Sequence, residues 1–129
     1  MNTKVLALGF GITFILVGLI GFFPNPLVAA NGLFAVNAAH NLVHLVTGAV
    51  FLLAALKFAT SSAAWIKAVG FAYAAVAVLG FIPALFSGEH LLGIVHINQA
   101  DKWLHVGLAI VILLSAYLVP PYPTRSAVR

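Results

Sequence analysis

Asn37-Ala-Ala-His40-Asn41-Leu-Val-His44-Leu-Val-Thr47-Gly48 opens a long apolar run, and it has an echo. Asn98-Gln-Ala-Asp101-Lys-Trp-Leu-His105-Val-Gly-Leu-Ala109 lies sixty-one residues later and opens another. Asn37 aligns with Asn98, His40 with Asp101, and His44 with His105, and a small residue closes each copy. On a helix, offsets of 0, 3, 7 and 11 fall within about 80° of arc. Each copy is therefore one polar stripe on one helix face. Polar groups at the start of an apolar helix need partners, and each stripe is the natural partner of the other.

The composition fixes the setting for these stripes. The chain has 129 residues, 64% of them hydrophobic and only 6% charged. An ordinary soluble domain is about 25% charged, and eight charged side chains cannot build a water-facing surface. The chain reads as an integral membrane protein. Its net charge of +4 comes from few acids and from basic helix ends, which is a topology signal and not a nucleic-acid footprint. There is no cysteine, so disulfides, thiolate metal sites and iron–sulfur clusters are excluded. Asp101 and Glu89 are the only carboxylate side chains. One Asp and one Glu do not make a di-iron centre, which draws on several Glu.

Four runs are long enough to cross the hydrocarbon core, which takes about 20 residues. The first goes from Val5 to Phe23 and ends at Pro24 and Pro26. Its length argues against a secretory leader cleaved near Val28-Ala29-Ala30. The second spans about Leu33 to Phe58 and the third Ala63 to Ile82, with Thr60-Ser61-Ser62 as a tight turn between them. The fourth spans about Asn98 to Val119 and stops at Pro120, Pro121 and Pro123. Trp65, Trp103 and Tyr117 read as interface anchors. Gly9, Gly18, Gly48, Gly70 and Gly80 read as close helix contacts.

The halves correspond beyond the stripes. Gly9-Phe10 matches Gly70-Phe71, Gly32-Leu33 matches Gly93-Ile94, and Gly21-Phe22-Phe23-Pro24 matches Gly80-Phe81-Ile82-Pro83. The expected fold is all-α: a membrane four-helix bundle of two tandem two-helix repeats in parallel topology. One domain covers 1–129, with repeats at about 4–58 and 63–119 and a tail at 120–129. Two helices per half bring both halves in from the same side, with a pseudo-two-fold axis along the membrane normal. Lys4, Lys57, Lys67, Arg125 and Arg129 fall on one side and Lys102 on the other. The positive-inside rule then puts both termini in the cytoplasm and the stripes in the outer half of the membrane.

Gly-Phe-Pro, Asn-x2-His-x3-His, a second Gly-Phe-Pro and Asn-x2-Asp-x3-His follow one another on four short membrane helices. In this order the chain resembles a bacterial family of small four-helix membrane proteins catalogued as domain of unknown function 4383. The resemblance covers nearly the whole chain. It implies the fold and a location in the bacterial inner membrane, and it implies no activity.

Two readings of the stripes follow. In the preferred one they form an ion-free network. Asn37 and Asn98 are N-caps, and Asp101 suits the helix dipole. His40, His44 and His105 hydrogen-bond across helices, each contact contributing about 0.6–2 kcal/mol, and Asn41 belongs with Asn37 and Asn98 to the polar site. In the alternative, His40, His44, Asp101 and His105 hold a zinc-like metal. The i, i+4 spacing brings two ligands to one helix face, and three imidazoles with one carboxylate make a tetrahedral set. A haem variant uses His44 and His105 as axial ligands, with Gly48 and Ala109 leaving room for a flat ring. His96 is close enough to Asn98 to join the site. No nucleophile–base set or acid pair stands out, so no catalytic residue is assigned. The expected role is an accessory, structural or ligand-binding membrane subunit. Its partners are the lipid bilayer and either a second copy of the chain or a larger membrane complex, and not nucleic acid.

Overall fold

A computed structural model gives the architecture and describes residues 1–124. Of the expected tail at 120–129, residues 125–129, Arg125 and Arg129 among them, lie outside the described residues. The fold is an all-α four-helix arrangement: α1 (Thr3–Ile20), α2 (Ala38–Leu56), α3 (Ser62–Leu79) and α4 (Gln99–Leu118). Helices of 18 to 20 residues are about 27–30 Å long at 1.5 Å per residue, close to the thickness of a hydrocarbon core. All four are long and apolar enough to cross a membrane. The outward faces agree: Leu16, Leu53, Phe71, Val78, Ile110 and Leu114 are all exposed. A surface of that kind belongs in lipid.

The helices form two tight pairs. α1 packs on α2 and α3 on α4, while the pairs touch each other more sparsely. Glycines set the close approach. A Cβ on Gly18 would lie 2.9 Å from the Leu45 side chain, and one on Gly70 would lie 2.7 Å from that of Leu113. A Cβ on Gly48 would meet Ile15 at 2.7 Å and the Gly11 carbonyl at 2.9 Å. Gly9 was expected to be such a contact and is not, since nothing lies within 4 Å of its Cβ position. The core between the pairs combines large and small side chains, among them Phe14, Phe51, Ile66, Tyr73, Ile112 and Ala109.

Both ends of the bundle are pinned by polar bonds. At one end the buried Thr3 and Ser62 hydroxyls lie 2.8 Å apart, and the Thr3 N–H donates to the Pro120 carbonyl at 2.9 Å. The chain start, the α2–α3 turn and the end of α4 therefore meet there. At the opposite end lie the two long loops, which carry short strands that the apolar runs did not announce. β1 (Val28–Ala29) pairs in parallel with β2 (Phe34–Ala35), and β3 (Phe86–Ser87), β4 (His90–Leu91) and β5 (Val95–His96) form a small antiparallel sheet. The second helix consequently begins at Ala38, five residues later than Leu33. Phe34 and Ala35 are apolar enough to continue a helix, but their backbone bonds go to the β1 ladder. Asn37 is extended, at φ −123° and ψ −179°, and caps the helix behind it.

Candidate functional site

The first turns of α2 and α4 meet in the seam between the helix pairs. The Asn37 side chain accepts from the His40 N–H at 3.0 Å, and the Asn98 side chain accepts from the Asp101 N–H at 3.0 Å. Each cap also reaches across. Asn37 Nδ2 donates to the Ile94 carbonyl at 2.8 Å, and Asn98 Nδ2 donates to the Leu33 carbonyl at 2.9 Å. Residues 33 and 94 are themselves sixty-one apart, so the two bonds exchange under the offset that relates the stripes. These caps orient the turns that carry His40, His44, Asp101 and His105.

All four of those residues are buried, each at most 5% exposed. The ring centroids of His40 and His44 are 4.6 Å apart, and those of His40 and His105 are 5.5 Å apart. One ring nitrogen from each of His40, His44 and His105 lies within 4.8 Å of the others. Tetrahedral zinc separates its nitrogen ligands by about 3.3 Å, so modest turns of these rings would close a three-imidazole shell.

Hydrogen bonds define which nitrogen each ring can offer. His40 Nδ1 lies 2.7 Å from the His96 carbonyl, and His105 Nδ1 lies 2.8 Å from the Asp101 carbonyl. A carbonyl only accepts, so both protons sit on Nδ1 and both Nε2 atoms carry a lone pair. Metal-binding histidines show this arrangement, with the far N–H fixed by an outer acceptor.

Asp101 stands behind these two rings. Its carboxylate oxygens lie 3.3 Å from His40 Nδ1 and 3.5 Å from His105 Nδ1. Those protons already point at carbonyls, which leaves Asp101 Oδ2 buried without a hydrogen bond. The carboxylate thus faces the Nδ1 edges and is not among the gathered donors. In place of four ligands, the site brings together three imidazoles with an anion behind two of them.

The remaining expected residues divide. The Asn41 amide points at the end of α1, where it occupies the space a Gly21 side chain would need. His96 contributes its backbone carbonyl, while its ring pairs with the exposed Glu89 at 3.0 Å. The room expected for a haem ring at Gly48 is taken by Ile15 and the Gly11 backbone. The ion-free network was expected to satisfy every stripe residue. Instead His40 Nε2, both His44 ring nitrogens, Asn41 Oδ1 and Asp101 Oδ2 are buried and unpaired.

Two aromatic walls were not read from the sequence. Tyr73 stacks on His105, with centroids 5.7 Å apart and rings 11° from parallel, and its hydroxyl donates to Thr47 at 3.3 Å. Phe14 meets His44 edge-on with centroids 5.8 Å apart. A hydroxyl in the middle of the otherwise apolar α3 was the signal for Tyr73. Phe14 is one of ten phenylalanines and carried none.

A family model described as a domain of unknown function matches residues 4–118. No curated protein and no solved structure matches the chain.

Proposed function

Because the chain belongs to this family, DUF4383, and the family name supplies no activity, we propose from the site itself that the protein is a metal-binding membrane protein. Its ligands are His40, His44 and His105, and the metal is a zinc-like dication. The observation that carries the reading is the pairing of a gathered imidazole triad with outer carbonyl bonds on two of its members. Imidazole suits zinc, copper, iron and nickel. Three neutral imidazoles and no thiolate make a set that zinc accepts with its fourth position open to an exchangeable ligand. Asp101 supplies the negative charge that a dication in this dry seam needs. The ion also gives a partner to His40 Nε2 and to one of the two unpaired ring nitrogens of His44.

The wider setting is proposed on the same footing. The chain is a multi-pass protein of the bacterial inner membrane, with both termini and the Ser61 turn cytoplasmic. Lys4, Lys57 and Lys67 at that end support this. The site then lies in the outer half of the bilayer, and the reciprocal asparagine bonds support a two-fold relation between the halves.

The test is elemental analysis of protein purified in detergent, loaded with zinc and dialysed. About one zinc per chain is expected, with His40→Ala, His44→Ala and His105→Ala each retaining little. A folded wild-type protein that keeps no metal would return the stripes to a purely structural role.

A further inference from the structure

His44 differs from its two neighbours. His40 and His105 each place an N–H on a carbonyl, whereas neither ring nitrogen of His44 has a partner. A neutral imidazole carries one N–H whether or not its other nitrogen binds a metal. That donor is buried, and the protein provides no acceptor for it.

Beside His44 lies a cleft of about 220 Å³ between α1 and α4. These helices pack on their own pair partners and not closely on each other. Phe14, Val17, Phe34, Leu104 and Leu108 form the greater part of its wall. Thr13 is at its edge, but the Thr13 hydroxyl already donates to the Gly9 carbonyl at 2.9 Å. His44 is therefore the unpaired donor at an otherwise apolar wall.

The size and lining select the occupant. A cavity of about 150 Å³ admits a benzene ring, and drug-sized ligands start near 300 Å³. The cleft thus takes one substituted ring and not a whole lipid. Water needs about two to four polar partners to stay in such a place, and among the lining side chains it would find at most His44 and, at the edge, the Thr13 oxygen. A carboxylate would be buried with no Lys or Arg among the lining residues. What fits is a neutral ring with a carbonyl acceptor, arriving from the lipid.

We propose that this cleft binds the carbonyl-bearing ring of a lipid-phase quinone-type molecule. His44 turns about its Cβ–Cγ bond and donates its N–H to the carbonyl oxygen, while the aliphatic tail runs out between α1 and α4. The proposal goes beyond the metal reading and does not require it.

The experiment uses the full chain in phosphatidylcholine nanodiscs, with a decyl-substituted benzoquinone as the probe. Nitrogen NMR of histidine-labelled protein follows the His44 ring, and thermal melting follows binding. The wild type is expected to show a His44 shift that saturates at one probe per chain, and a melting temperature that rises with probe. Val17→Trp fills the cleft, and His44→Phe keeps the ring shape without the N–H. Both are expected to melt cooperatively with at least tenfold weaker response to the probe. Absence of a saturable His44 shift in the wild type, or a wild-type response in both variants, overturns the proposal. Zinc content of the same samples separates the two readings. Val17→Trp should keep wild-type zinc. A quinone response in a protein that binds no zinc removes the metal reading alone, and zinc binding without a quinone response removes this one alone.

Discussion

At the residue level, Asp101 has the most specific job. It is buried, it is not in the ligand cluster, and it faces the Nδ1 edges of His40 and His105. Asp101→Asn keeps the shape but offers one acceptor and one NH2 group where there were two acceptors. One imidazole N–H then faces a donor, and the negative charge behind the proposed metal site is gone. Changes to such outer partners typically cost 10–100-fold in metal affinity, and that is the expected loss in a zinc titration of the folded variant. An unchanged affinity would remove Asp101 from the site. Complete loss of zinc at saturating concentration would move it into the ligand set. Most of this constellation could be read in the sequence, because identical spacing in two copies is hard to produce by chance packing. Asp101's position behind the ligands could not, because i, i+4 spacing fixes a helix face but not which side of a ring a carboxylate meets.

Among the elements, the α1–α2 pair shows how little space the helices leave. At Gly48 an added methyl would strike the Ile15 side chain and the Gly11 carbonyl. A side chain can move aside, but a carbonyl in a continuous helix cannot. Gly48→Ala is expected to destabilise the protein by about 1–3 kcal/mol through overpacking. Gly9 sits in the same helix pair with open space around it. Gly9→Ala is expected to be neutral or to stabilise by up to about 1 kcal/mol, the helix preference of alanine over glycine. Reversible unfolding of the two variants in mixed detergent micelles measures the contrast, and equal effects would contradict the packing assigned to Gly48. The helix starts illustrate what local sequence leaves open. Phe34 and Ala35 have the composition of a helix and lie in a strand pair, because their backbone groups find partners in Val28–Ala29. Such non-local pairing outweighs hydropathy.

The whole molecule has two distinct ends. The chain start, the Ser61 turn and Pro120 share one, and the two long loops share the other. Four membrane crossings require this, and the Lys and Arg distribution is the basis for the proposed cytoplasmic end. Single-cysteine variants in intact cells, treated with an impermeant thiol reagent, provide the check. Asn31→Cys is expected to be labelled and Ser61→Cys is expected to be protected until the membrane is opened. The reverse pattern would invert the proposed topology and place the site in the inner half of the bilayer.

The sequence alone determined the membrane class, the four helices and the pairing of the stripes. These depend on composition and on periodicity along a single helix, which are local quantities. Asn37 and Asn98 could be read as caps for the same reason. Tertiary structure decided which atoms of those stripes meet. It placed three imidazole nitrogens together and Asp101 behind two of them. It also brought Tyr73 and Phe14 against the rings, filled the space at Gly48, and left a cleft beside His44. These outcomes depend on how far apart α1 and α4 stand and on how each ring turns about its bonds. The helix pairs set those quantities by packing against one another across the seam, and no window of sequence contains them.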